Sequence, residues 1–96
     1  FPYKGGDCMA ENPVKLAREE LGLSRHDMAV MAGVGIVTIY QLERGSYARV
    51  PRGIEAVLER LGVDTARLHC DYIAWREAEA ERLFREAEAA QGIGAR

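Results

Sequence analysis

Apolar positions recur at helical spacing along the whole chain, and nowhere do they alternate as in a half-buried strand. Asn12 is a capping residue and Pro13 opens a first helix, with Val14, Ala17 and Leu21 at i, i+3 and i+7 and Gly22 as its stop. Ser24 caps a second helix, predicted from about Arg25 to Ala32. Asp27, three residues on, gives a capping-box variant with Asp where Glu or Gln is usual. Met28, Ala29 and Ala32 form its apolar face. Gly33 then stands where a left-handed C-terminal position favours glycine. A third helix is predicted from Gly35 or Ile36 to Arg44, with Ile39 and Leu42 inward and Gly45 as its end. Residues 45 to 50 read as a loop. Pro51 opens a fourth helix whose Ile54, Val57, Leu58 and Leu61 make a dense apolar stripe ending at Gly62. Asp64 or Thr65 starts a fifth. Nothing breaks it before Ala90, so it runs on in one piece or bends near Cys70. Its second half is biased toward Ala, Glu and Arg, a strongly helix-forming composition.

The predicted fold class is therefore all-α: a five-helix bundle with an extended C-terminal helix. At 96 residues the chain makes one small domain with a modest core. We divide it into a flexible leader or cloning remnant at 1–11 (Met9 would be a natural start), a compact unit at 12–68, a C-terminal helix at 69–91 and a frayed tail at 92–96. No apolar run approaches the roughly 20 residues of a membrane span. Cys8 and Cys70 are isolated thiols, and only His69 lies near either, so neither zinc nor another metal is expected. A reduced, cytoplasmic setting fits this cysteine usage.

The stretch from Ser24 to Gly45 changes the picture most. Two short helices joined by a tight glycine turn, with Val34 plugging the angle between them, form a helix-turn-helix signature. The net charge of −2 argues at first against a nucleic-acid partner, but its distribution matters more. From residue 25 to 52, Arg25, Arg44, Arg49 and Arg52 face only Asp27 and Glu43. From 69 onward, Arg76, Arg82, Arg85 and Arg96 are outnumbered by Asp71, Glu77, Glu79, Glu81, Glu86 and Glu88. The middle is mildly basic and the tail acidic.

Residues 14 to 68 resemble the Cro/C1-type (XRE-like) helix-turn-helix family, which includes lambdoid phage repressors. The likeness lies in Ala17-Arg18-Glu19-Glu20-Leu21-Gly22-Leu23-Ser24, Met28-Ala29, Gly33-Val34 and Thr38-Ile39-Tyr40-Gln41-Leu42-Glu43-Arg44-Gly45. Pro51 and Leu58-Glu59-Arg60-Leu61-Gly62-Val63 extend it. The resemblance implies double-stranded DNA as partner, usually bound by a dimer, with no cofactor. It also implies a partly buried structural ion pair between Arg18 and Glu43, whose one-sided removal would cost about 3–5 kcal/mol.

Helical spacing leaves Gly35, Ile36, Val37, Tyr40, Gln41 and Arg44 on the outward face of the third helix. Gln41 can pair bidentately with adenine, and Ile36 or Val37 can pack on thymine methyls. Tyr40 can reach a phosphate or a sugar, and Arg44 the DNA backbone. Arg25, at the start of the second helix, is placed for a phosphate. Tyr47, Arg49 and Arg52 extend that track around the loop. The family more often has polar residues at 36 and 37, and at 30 and 31 as well. Outward Val30 and Met31 therefore need a cover: the C-terminal helix, a partner subunit, or none. In the tail, Ile73, Ala80, Leu83, Phe84 and Ala87 fall near one face, with Tyr72 and Trp75 slightly off it. We expect Tyr72, Ile73, Trp75, Leu83 and Phe84 to form a homodimer interface, since half-sites of such dimers lie about 34 Å apart. His26 reads as a solvated helix residue. No Ser-His-Asp, paired-carboxylate or phosphate-loop arrangement is present, so an enzyme is not expected. Gly33-Val34-Gly35 has no preceding strand and is no nucleotide loop. The leading expectation is a transcriptional repressor. Its rivals are an antitoxin that holds a toxin through the C-terminal helix, and a protein-binding adaptor that has lost DNA affinity.

Overall fold

The computed structural model describes residues 11–92. The leader up to residue 10, with Cys8 and Met9, and residues 93–96 of the tail lie outside the described residues. Five helices follow one another: α1 (Pro13–Glu20), α2 (Arg25–Ala32), α3 (Ile36–Glu43), α4 (Arg52–Arg60) and α5 (Thr65–Gln91). No strand occurs among the described residues.

The starts are set by local chemistry. Asn12 Oδ1 accepts the Val14 amide at 2.8 Å. Ser24 and Asp27 satisfy one another's backbone amides reciprocally, which completes the capping box. Hydrogen bonding from Ser24 holds the Asp27 carboxyl below its ordinary range. Asp64 Oδ1 accepts from the Arg67 amide and starts α5. Pro51 precedes α4 as its N-cap rather than lying inside it. Between α2 and α3 the chain turns at Gly33 with φ +69°. There a side chain would cost about 1–2 kcal/mol.

Packing then joins the stripes. α2 lies against α3 and α4, while α1 lies against α3 and α5 and α4 also meets α5. Val14, Ala17, Met28, Ala29, Ile39, Leu42, Ile54, Leu58, Leu68 and Tyr72 fill the shared core. Each large member buried there contributes about 1.5–3 kcal/mol by leaving water. Gly53 opens the way for α4 to approach α2, because a Cβ there would stand 2.9 Å from the Ala32 carbonyl oxygen.

α5 is a single helix that runs on through Cys70. At 1.5 Å per residue it is about 40 Å long, and it dominates the 49 Å long axis of the molecule. Leu68, Tyr72 and Trp75 are buried, whereas almost every residue from Arg76 onward is exposed. This corrects two interface expectations. Tyr72 (0% exposed) and Trp75 (6%) belong to the protomer's own core and offer no face to a second copy. Their spacing from Leu68, at i+4 and i+7, makes an inward stripe; Leu83, eleven positions after Tyr72, lies on nearly the same side but beyond the end of the bundle, and is exposed. Cys70 is an exposed free thiol.

Candidate nucleic-acid interface

α3 is held from inside by three residues and open outside. Ile39 and Leu42 are buried. Glu43, its last residue, has only 4% of its side chain accessible. The Glu43 carboxylate binds two arginines. Arg18 Nε of α1 donates to Oε2 at 2.7 Å and its Nη2 to Oε1 at 3.3 Å. Arg25 Nε of α2 donates to Oε1 at 3.0 Å. Arg18 Nη1 donates further to the Leu23 carbonyl at 2.8 Å. One carboxylate thus ties α1, α2 and α3 together. A buried acid with two charge-assisted partners has its desolvation offset, and removing either side would not.

The opposite face is a continuous strip. Gly35, Ile36, Val37, Tyr40, Gln41 and Arg44 are all exposed. Gly35 provides no side-chain cap, so the first-turn amides of α3 point outward unclaimed by a side chain. Arg49 and Arg52 are exposed beyond it, and Tyr47 is half-buried. The structure brings Tyr47 and Gln41 together: the phenol donates to Gln41 Oε1 at 3.4 Å.

Arg25 is less free than its place at a helix start suggests. Besides its bond to Glu43, its guanidinium lies over the Tyr40 ring, 4.7 Å from the centroid. The bond to Glu43 raises its pKa further, so it stays charged, with about a third of its side chain accessible. The α2 terminus itself is occupied by the Asp27 carboxylate. Both acids of the basic segment are therefore engaged within the protein, and the strip's exposed ionic groups are arginines.

Val30 (65% exposed) and Met31 (47%) stay uncovered by the C-terminal helix. Met31 lines a shallow cleft with Val57, Arg60 and Leu61. Ile73, Leu83 and Phe84 of the expected dimer face are exposed on α5.

Residues to which the sequence reading gave other roles bound the strip from behind. Asn12 Nδ2 donates to the Leu42 carbonyl at 2.9 Å. Arg76 Nε donates to the Gly45 carbonyl at 2.8 Å, and Tyr72 Oη to the Tyr47 carbonyl at 2.7 Å. These pairs are separated by 30, 31 and 25 positions, and no periodicity could have signalled them. Among the described residues no cluster of His, Cys, Asp and Glu could hold a metal ion. No described helix is long and apolar enough to cross a membrane.

The family model described as a helix-turn-helix domain matches residues 14–69, more than half of the chain. No curated protein and no solved structure matches.

Proposed function

The chain belongs to the helix-turn-helix domain family, of the XRE/Cro-like type, and on that premise we propose that it is a sequence-specific repressor which lays α3 in the major groove of double-stranded DNA as a homodimer. A DNA-binding regulator is what such a domain implies. The finer reading is carried by one observation: the outward side of α3 is bare from Gly35 to Arg44, and Arg49 and Arg52 continue it. Tyr40, Arg44, Arg49 and Arg52, with the accessible part of Arg25, meet phosphates and supply affinity. That affinity falls with salt, because each neutralised phosphate releases a counterion. Gln41 reads a base edge, and Ile36 and Val37 pack on thymine methyls. Tyr47 orients Gln41 rather than lying free on the loop. The homodimer forms through Ile73, Leu83 and Phe84 on the exposed side of α5. This reading gives the protein a binding role rather than a catalytic one, in the cytoplasm and without a cofactor.

The test is an anisotropy titration at two salt concentrations, with a duplex selected from random DNA and a scrambled control. Gln41→Ala weakens the selected site about 5- to 150-fold, the worth of one good base contact, and leaves the control unchanged. Arg44→Ala weakens both alike and flattens the salt slope. If both variants bind as the parent does, α3 is not the reader.

A second reading draws on exposed Val30, Met31, Ile36 and Val37, which suit a protein surface as well as DNA. In that reading the chain is an adaptor without DNA affinity, or an antitoxin whose C-terminal helix holds a toxin. Absence of DNA binding even at low salt would select the adaptor. A toxin gene next to this one would select the antitoxin.

A further inference from the structure

α3 ends at Glu43, and the loop that follows carries Tyr47, the neighbour of Gln41. Residues 46–50 have no helix or strand to satisfy their backbone groups. Instead, one face of α5 does much of that work. Tyr72, Trp75 and Arg76 stand at i, i+3 and i+4 and therefore point the same way. Tyr72 Oη donates to the Tyr47 carbonyl at 2.7 Å and lies 3.4 Å from the Leu42 carbonyl. Arg76 Nε donates to the Gly45 carbonyl at 2.8 Å. Trp75 fills the space a Gly45 side chain would need: a Cβ there would stand 2.8 Å from Cζ3 and 3.0 Å from Cη2. Gly45 has φ +86°, so the chain turns there with its backbone pressed on the indole. Burial pushes the Tyr72 phenol pKa above its ordinary value.

From these contacts we infer that Tyr72, Trp75 and Arg76 are positioning residues that fix the end of α3 and the Tyr47–Gln41 pair, so that discrimination between DNA sequences depends on α5. The path is continuous. α5 holds the Gly45 and Tyr47 carbonyls, the Tyr47 backbone places its phenol, and the phenol orients the Gln41 carboxamide. None of the three need touch DNA. This inference rests on the DNA-reading proposal above, and it adds that a helix assigned to partner binding is also part of the reader's mount.

Two readouts on the full chain test it. The first uses no DNA: hydrogen exchange at the Gly45 and Ser46 amides, which bond to the Leu42 and Gln41 carbonyls. The second is the ratio of affinities for the selected and scrambled duplexes. In Tyr72→Phe and Arg76→Met, exchange at Gly45 and Ser46 rises about five- to tenfold, the factor one ordinary hydrogen bond gives, while Ala29 and Leu58 amides keep the parent's protection. The affinity ratio falls by a similar factor. Arg76→Lys restores part of both, and Glu81→Gln, exposed on α5 away from the clamp, changes neither. Parent-like exchange at the loop in both variants overturns the clamp, and Arg76, being exposed, decides this even if Tyr72→Phe misfolds. A loosened loop with an unchanged affinity ratio also overturns it, because the contacts are then structural only. A parent that prefers no duplex shows the failure of the DNA reading before any variant is made, and removes the clamp's role in discrimination with it.

Discussion

The two halves of α5 share one unbroken backbone and meet opposite surroundings. From Thr65 to Arg76 the helix is part of the bundle: Leu68, Tyr72 and Trp75 are buried, His69 Nδ1 lies 3.2 Å from Glu55 Oε2 of α4, and Arg76 reaches the Gly45 carbonyl. From Glu77 to Gln91 almost every residue is exposed, Leu83 and Phe84 included. What holds the outer half is local. Ala, Glu and Arg have high helix propensity, and Arg82 bonds to Glu79 and Glu86, one turn away on either side. Helical pattern alone therefore does not say which surface a helix buries. The inner half is stabilised by what it covers, and the outer half by its own composition.

The largest effect that would sharpen this contrast comes from matched truncations in the two halves. Leu68→Ala costs about 2–5 kcal/mol, since it opens a cavity in packed surroundings, whereas Leu83→Ala stays within about 0.5 kcal/mol in the dilute monomer. Urea unfolding of both variants measures it, and equal losses would break the comparison. Next comes Gly45→Ala. A left-handed backbone with a side chain, and the Trp75 ring at 2.8 Å, together cost about 1–3 kcal/mol, visible as a lowered midpoint in the same titration. Smaller in the monomer, but decisive for assembly, is Phe84→Ser. It leaves unfolding at low concentration unchanged and weakens self-association in sedimentation equilibrium, provided the outer half is the interface.

The smallest effect is acid sensitivity of the outer half, alongside that of the Asp27 cap on α2. The hydrogen bond from Arg82 lowers the Glu79 pKa below its ordinary value of 4.5. A depressed carboxyl stabilises the folded form above its ordinary pKa, and that support disappears as pH falls through the lowered one. Far-UV circular dichroism should lose a little helix in that acid range, less so with Arg82→Gln, while the near-UV signal of Trp75 stays constant.

The sequence disclosed the helices well, because their ends are written in short-range chemistry: Asn12, the Ser24–Asp27 box, Gly33, Gly45, Pro51 and Asp64. The exposed strip of α3 was also legible, since Ile39 and Leu42 declare the inner side and the remaining positions follow by rotation. The pairing of Arg18 with Glu43, 25 positions apart, was suggested only by family resemblance. Tyr72 and Trp75 read as interface residues because the apolar positions of α5 continue past the point where the bundle ends, so the covered and uncovered ones look alike in sequence. Where the bundle stops is a property of the neighbours α1 and α4, which α5's own residues do not encode.

The grip of Glu43 on Arg18 and Arg25 has an evolutionary corollary. The mount and the text of α3 are separable. Positions 39, 42 and 43 anchor the helix, while positions 36, 37 and 41 take no part in that anchoring and are open to drift. Under the proposed reading, new preferences among DNA targets can accumulate at those three places as interchangeable lettering on a fixed plate, and a lineage of such proteins can diversify its targets without reinventing its scaffold.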